Sequence, residues 1–532
     1  MPVRSFIFAA SYRDSAFLMK LSSQARQQSG ISNISAMMGT PRNKELLARS
    51  GLLTPELELA APEDLLVAIE GPDALLDKAE RIVRNLLREP PVPASPQTGG
   101  ERPCCLSQAM AEHPQSQVAI ISVAGDYAHY EAAKALQLGL DVLLYSDNIS
   151  IEAEQALKAF ARRKNRLLMG PDCGTAIINR IPLGFANQVR RGLIGLVGAS
   201  GTGLQEVSSL LDRCGLGVSQ VYGTGSRDMT DAIGGLSALN ALERLAQDAG
   251  TEAIAVIAKF PGKATRAKLA SWYRKTRKPV IVCYLGEDDM RPEKRLGILT
   301  ASNLTELALL AARTVAPMLD TSDITDSAPL PERLRQPGWI RGVFSGGSLC
   351  FESLYAARQT GLKNLHSNLH AAGVTHIAGH EPGRGHTFLD MGADEFTVGC
   401  PHPLVSPELK MQRLIEEMCS PGVSVALTDI VLGHGTCPHQ AAALVQAVDK
   451  AATLTGGASR RILVAASVCG TEADTPSRSS QIALLRQAGI HVPGSNMQAA
   501  LWAARVVAKA LPRKNAPAAP RRSRSGTDQQ PA

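Results

Sequence analysis

Residues 194–206 read IGLVGASGTGLQE, and residues 340–352 read IRGVFSGGSLCFE. Laid on each other without a gap, Ile194, Val197, Gly201 and Glu206 match Ile340, Val343, Gly347 and Glu352, and Thr202 faces Ser348. Each segment is an apolar strand, a run of Gly and Ser, and a helix start, which points to a duplicated unit. Such a junction leaves free N–H groups and the positive end of a helix dipole at the loop, where an anion fits. In Gly198-Ala-Ser-Gly-Thr-Gly203 the glycines let the backbone approach a ligand, and Ser200 and Thr202 carry hydroxyl donors; Ser345-Gly-Gly-Ser348 offers the same groups. A tight turn that binds nothing is the alternative for either loop alone. The residues Ser200, Gly201, Thr202, Gly203, Gly346, Gly347 and Ser348 therefore form a candidate phosphate site, on the expectation that the two helices converge.

Working outward, apolar runs at 118–123, 142–145, 166–169, 253–257 and 280–284 alternate with amphipathic segments, and 424–431 and 462–466 continue the pattern. Alternation of this kind predicts parallel, doubly wound sheets. Pro-rich and polar stretches at 90–103 and 316–338 cut the chain into pieces. The expected units are a small N-terminal α/β domain (1–89), α/β units at 104–190, 191–315 and 339–511, and a disordered basic tail (512–532).

Two more loops follow strands where open α/β sheets bind ligands. Gly170-Pro-Asp-Cys-Gly-Thr175 contributes Gly170, Pro171, Asp172 and Cys173. Gly223-Thr-Gly-Ser-Arg-Asp228 contributes Gly225, Arg227 and Asp228, with a solvated turn as the alternative. Cys173 has no base near it in sequence, so a packed thiol is the better reading. Five histidines crowd 366–386, and His402, His434 and His439 follow, but no carboxylate or cysteine pattern completes a ligand set. We read 366–386 as a surface histidine-rich loop and expect no metal. Asp390 in FLDMG (388–392) stands beside a strand end and a glycine, as does Asp429 in 429–433, and Asp390 is read as orienting substrate or a loop.

Of 532 residues, 20% are charged and 44% hydrophobic, ordinary values for a globular protein. The net charge of +7 includes a tail from Pro512 with five positive residues and one negative, so the body gives no reason to expect nucleic acid. No apolar run approaches a membrane span. The ten scattered cysteines lack a CxxC pair, and the N-terminal apolar stretch is too short for a signal peptide; a cytoplasmic protein is the expectation.

The stretches MGPDCGTAI (169–177), IGLVGASGTG (194–203), GTGSRDMTDAIGG (223–235) and KPVIVCYLG (278–286) resemble the α subunit of succinyl-CoA synthetase. GGSL (346–349), FLDMG (388–392) and TDIVLGHG (428–435) resemble the C-terminal domain of that enzyme's β subunit. With the N-terminal segments YRDSAFLMKLSSQA and ISAMMGTPRNKELL, the order is similar to the FdrA family of acyl-CoA-synthetase-like proteins up to about residue 511. The resemblance implies Rossmann- or flavodoxin-like domains of the synthetase type: CoA-binding-like at 104–190, α-like ligase at 191–315 and β-C-terminal-like ligase at 339–511.

The chain departs from the synthetase at its chemistry. Ile298 stands where the phosphorylated histidine belongs, and Lys259 stands where a carboxylate supports that histidine. An ATP-grasp domain and a clear Gly-rich CoA loop are absent from the sequence. Without that imidazole, covalent phosphoryl transfer by the synthetase's route is closed, whereas Lys259 favours a directly bound dianion. The family resemblance implies one subunit of an oxamate carbamoyltransferase, taking carbamoyl phosphate or phosphate, with separate partner subunits and with Lys259 and Asp390 as candidate catalytic residues. An ADP-forming acyl-CoA ligase subunit that binds CoA and uses another histidine such as His434, and a non-catalytic acyl-CoA or phosphate sensor, are the rival readings.

Overall fold

The computed structural model describes residues 2–510 apart from 12, 14, 32, 50, 89–102, 327–336, 398–399 and 457–461. Most of the first linker, the middle of the second and the whole basic tail therefore lie outside the described residues. Four sheets organise the rest. Val3–Phe8, Leu65–Glu70 and Asn33–Met38 form an antiparallel sheet with Leu65–Glu70 in the centre. The first five residues of that central strand are fully covered, by a helix-lined core on one face and Leu47, Leu52 and Leu57 on the other.

Val118–Ile121, Asp141–Leu144 and Leu168–Met169 form a three-stranded parallel sheet. A seven-stranded sheet follows, in the order Leu299–Ala301, Val280–Leu285, Ala253–Lys259, Ile194–Gly198, Val221–Gly223, Thr175–Ile178 and Ile181–Gly184. Its last two strands are antiparallel, so residues 175–184 pair with the strands of the unit that follows them. The fourth sheet is wholly parallel: Thr375–His376, Leu365–Ser367, His386–Asp390, Trp339–Phe344, Val423–Val431 and Leu463–Cys469. Val423–Val431 is buried along its whole length, as a strand covered on both faces by crossover helices must be.

One apolar core joins the last two sheets. The helices that follow the matched strands, Gly201–Arg213 and Gly347–Gln359, pack together at its centre. The matched glutamates brace it reciprocally. Glu206 accepts the Asn496 main-chain N–H (3.0 Å) at the start of the helix Asn496–Ala510, in the other unit. Glu352 accepts the Leu304 N–H (2.7 Å) at the start of Leu304–Val315, again in the other unit, and also the Asn496 side-chain amide (2.7 Å). Burial, with Glu206 adding repulsion, pushes the Glu352 carboxyl up to about 8. Both repeats thus present the C-terminal ends of their parallel strands to one side.

The histidine segment is not uniformly a surface loop. His366 and His376 lie on short strands, and His386 is buried, its Nδ1 accepting the Ile340 N–H (3.1 Å). Its strand, His386–Asp390, is buried along its whole length, which places the imidazole in the sheet rather than in solvent.

Candidate functional site

The two helix N-termini meet. Ser200 Oγ and Ser348 Oγ are 2.5 Å apart, and a Cβ on Gly346 would stand 2.6 Å from the Thr202 hydroxyl, so only glycine fits there. The first helix is capped by Ser200, which accepts the Gly203 N–H (3.0 Å). Gly201, Thr202 and Gly347 reach solvent, whereas Ser200, Gly203, Gly346 and Ser348 are buried. One hydroxyl proton is used between Ser200 and Ser348, and Ser200 Oγ accepts in the cap, so the buried pair keeps a single hydroxyl proton that could reach a ligand.

The second helix start is held differently. The Asp429 carboxylate accepts the N–H groups of Ser345 (2.8 Å) and Gly346 (3.1 Å). Lys410, fully buried, pairs with Asp429 at 2.6 Å and donates to Ser345 Oγ at 2.9 Å. The Gly346 amide is thus occupied from within the protein, which leaves Gly347 as the exposed amide of that loop.

Lys259 closes the strand Ala253–Lys259, and Phe260 after it turns the chain with φ of 47°. Its ammonium crosses to the other repeat: a Cβ on Gly347 would stand 3.3 Å from Lys259 Nζ and hard against Asp390 Oδ2. Asp390 ends the strand His386–Asp390 and accepts the Gly392 N–H at 3.0 Å through Oδ1. Burial pushes its carboxyl up to about 6, against the pull of Lys259. Lysine, carboxyl and two helix ends therefore share one opening.

Asp172 faces the same opening. Asp172 is exposed, and the protein packed around its carboxyl raises it above its usual range against the Ser226 hydrogen bond and the Lys259 charge. The loops of Gly170 and Gly225 interlock, since a Cβ on Gly225, whose φ is +85°, would strike the Pro171 carbonyl. Cys173 is buried and pushed up to about 12 by desolvation, a thiol rather than a nucleophile.

Asp228 and Arg227 are not brought to the opening. Asp228 is buried, pairs with Lys158 (2.8 Å) and accepts the N–H groups of Ser237 and Ala238. Arg227 pairs with Glu154 at 2.8 Å. Both fasten the three-stranded sheet to its neighbour.

Sequence reasoning passed over His402 as part of a histidine cluster. A Cβ on Gly392 would stand 2.7 Å from His402 Nε2 and 3.2 Å from Asp390 Oδ1, so the imidazole borders the same carboxyl. His434, the histidine considered for a ligase, is exposed on the next loop, its Nε2 3.5 Å from Gln188. Among the described residues no cluster of metal-ligand type is present.

Family models match three segments: "CoA-ligase" over residues 343–506, "CoA binding domain" over 190–284, and "AllF, heavy metal-associated domain" over 1–103. The CoA-binding description thus falls on the seven-stranded unit, and its use for 104–190 rests on resemblance alone. YahF of Escherichia coli (strain K12) is 38% identical over 96% of this chain and 99% of its own. The α subunit of an ADP-forming succinate–CoA ligase of Methanothermobacter thermautotrophicus is 27% identical over 36% of this chain and 64% of its own. A solved dinucleotide-forming acetyl-coenzyme A synthetase of Ca. Korarchaeum cryptofilum, in complex with phosphate and ADP, is 15% identical over 79% of this chain and 88% of its own, with a TM-score of 0.34.

The CoA-ligase and CoA-binding matches define the class, a protein with acyl-CoA-synthetase-like domains. More narrowly, the chain belongs to the FdrA family, with YahF as a relative along its whole length. Residues 1–103 contain neither cysteine nor histidine, so no thiolate or imidazole stands there to hold the metal that the matched description names. No described helix is long and apolar enough to cross a membrane.

Proposed function

We propose that the opening between the two repeats binds phosphate or an acyl phosphate, most concretely carbamoyl phosphate, and that the chain is the phosphate-handling subunit of an oxamate carbamoyltransferase-type complex completed by partner subunits. The observation that carries this reading is the meeting of the two helix starts, with Lys259 Nζ set over Gly347. The exposed first-turn amides of Gly201, Thr202 and Gly347 and the Thr202 hydroxyl bind the phosphoryl oxygens, and Lys259 neutralises charge on the departing phosphate. Asp390, with its carboxyl near 6, holds or releases a proton beside the reacting group at neutral pH.

The test is thermal unfolding of the full chain with carbamoyl phosphate, phosphate, ATP and CoA in turn. A ligand at 100 times its Kd adds about 2.7 kcal/mol. Stabilisation by carbamoyl phosphate or phosphate that is lost in Lys259→Met supports the reading; no response to either anion contradicts it. An ADP-forming ligase subunit is the second reading, favoured by the CoA-binding and CoA-ligase matches. It requires stabilisation by CoA, and label transfer from ATP that His434→Ala abolishes.

A further inference from the structure

Three groups border Asp390 from different sides: Lys259 and Gly347 at Oδ2, and His402 beyond Oδ1. The histidine's chemistry is fixed by its surroundings. The Leu404 main-chain N–H donates to His402 Nδ1 at 3.2 Å, so Nδ1 presents its lone pair and the ring proton of the neutral form sits on Nε2. The Phe185 ring stacks on the imidazole with centroids 6.3 Å apart, and Phe185 itself meets Tyr145 edge-on at 5.7 Å. Burial pushes His402 down to about 4, with Lys410 adding to that and Asp429 opposing it, so the ring stays uncharged across the neutral range. Nε2 has no hydrogen-bond partner among the described residues, and the side chain is half-buried at the opening.

A neutral N–H donor on an aromatic platform, next to a carboxyl, suits an uncharged oxygen better than a second anion. The cationic end of the opening, with Lys259 and the helix amides, lies on the other side of Asp390. Resting on the phosphate reading above, we propose that His402 is the group that selects the acyl end of the ligand, its Nε2–H donating to the carbonyl oxygen of an acyl or carbamoyl phosphate whose phosphoryl group lies at Lys259 and Gly347. Inorganic phosphate fills only one half of such a site.

The experiment is calorimetric titration of the full chain with inorganic phosphate and with acetyl phosphate, for wild type, His402→Ala and His402→Gln. The wild type is expected to bind acetyl phosphate more tightly than phosphate. His402→Ala is expected to lose roughly five- to tenfold in affinity for acetyl phosphate, the worth of about one hydrogen bond, with phosphate unchanged. His402→Gln, which keeps an amide N–H, recovers most of the loss. A preference for acetyl phosphate that persists in His402→Ala, or equal wild-type affinity for both probes, overturns the inference and leaves the phosphate reading standing. Failure of the wild type to bind either anion removes both. Should His402→Ala not fold, 15N NMR of the wild type decides. A neutral Nε2–H tautomer between pH 5 and 8, shifted by acetyl phosphate and not by phosphate, is expected; an Nδ1–H tautomer contradicts the assignment.

Discussion

The helix starts at Ser200–Gly203 and Gly346–Ser348 descend from one pattern and are finished in opposite ways. The first is capped by its own serine, a neutral group that satisfies one amide and leaves Gly201 and Thr202 to solvent. The second has no side-chain cap; a buried carboxylate takes the Ser345 and Gly346 amides, and a buried lysine neutralises it. The difference teaches that a duplicated Gly/Ser loop is not a duplicated ligand site. One copy offers its amides outward, and the other is fixed as a platform that shows only Gly347 and borrows its cation, Lys259, from the first repeat.

The largest expected effect strikes the platform. Lys410→Met leaves Asp429 buried without a counter-charge and should cost about 3–5 kcal/mol in denaturant unfolding; a loss below about 1 kcal/mol would show the platform to be held by packing instead. Next comes Asp390. Its folded-state value near 6 lies above the ordinary 3.8, so folding favours the protonated form. The stability this gives is full below about pH 4 and is lost as pH rises through 6. Asp390→Asn should therefore be more stable than wild type by roughly 3 kcal/mol at pH 7.5, with the gap closing toward pH 4 in melts across that range. A gap independent of pH would contradict the assignment.

Lys259→Met should weaken phosphate binding about tenfold, or about 1.4 kcal/mol, in calorimetry. The smallest effect falls on the first start: Ser200→Ala should cost about 1 kcal/mol of stability as the cap and the Ser348 contact are lost. A larger cost there than in Lys410→Met would reverse the comparison between the two copies.

Much of the fold was legible. Strands such as Ile194–Gly198, Ala253–Lys259 and Val423–Val431 are long apolar runs whose burial follows from composition. The convergence of the two loops was foreshadowed by the match of 194–206 with 340–352. The rest depends on contacts that no local pattern encodes. Asp390 and His402 come from one stretch of the second repeat, and Lys259 of the first reaches them only because the repeats face each other. The Lys410–Asp429 pair and the crossing of Glu206 and Glu352 to the opposite units are likewise long-range. Short polar loops carry too little periodicity to say which hydroxyls meet, so the Ser200–Ser348 contact shows only in the fold. His402 was hidden by its neighbours, since a histidine-dense stretch directs attention to metals rather than to one ring with a fixed tautomer.

The most direct test of the account is a crystal structure of the full chain grown with phosphate. The account predicts an anion within hydrogen-bond distance of the Gly201, Thr202 and Gly347 amides and of Lys259 Nζ. An opening that stays free of the anion at saturating phosphate, or an anion bound only elsewhere on the chain, would contradict it.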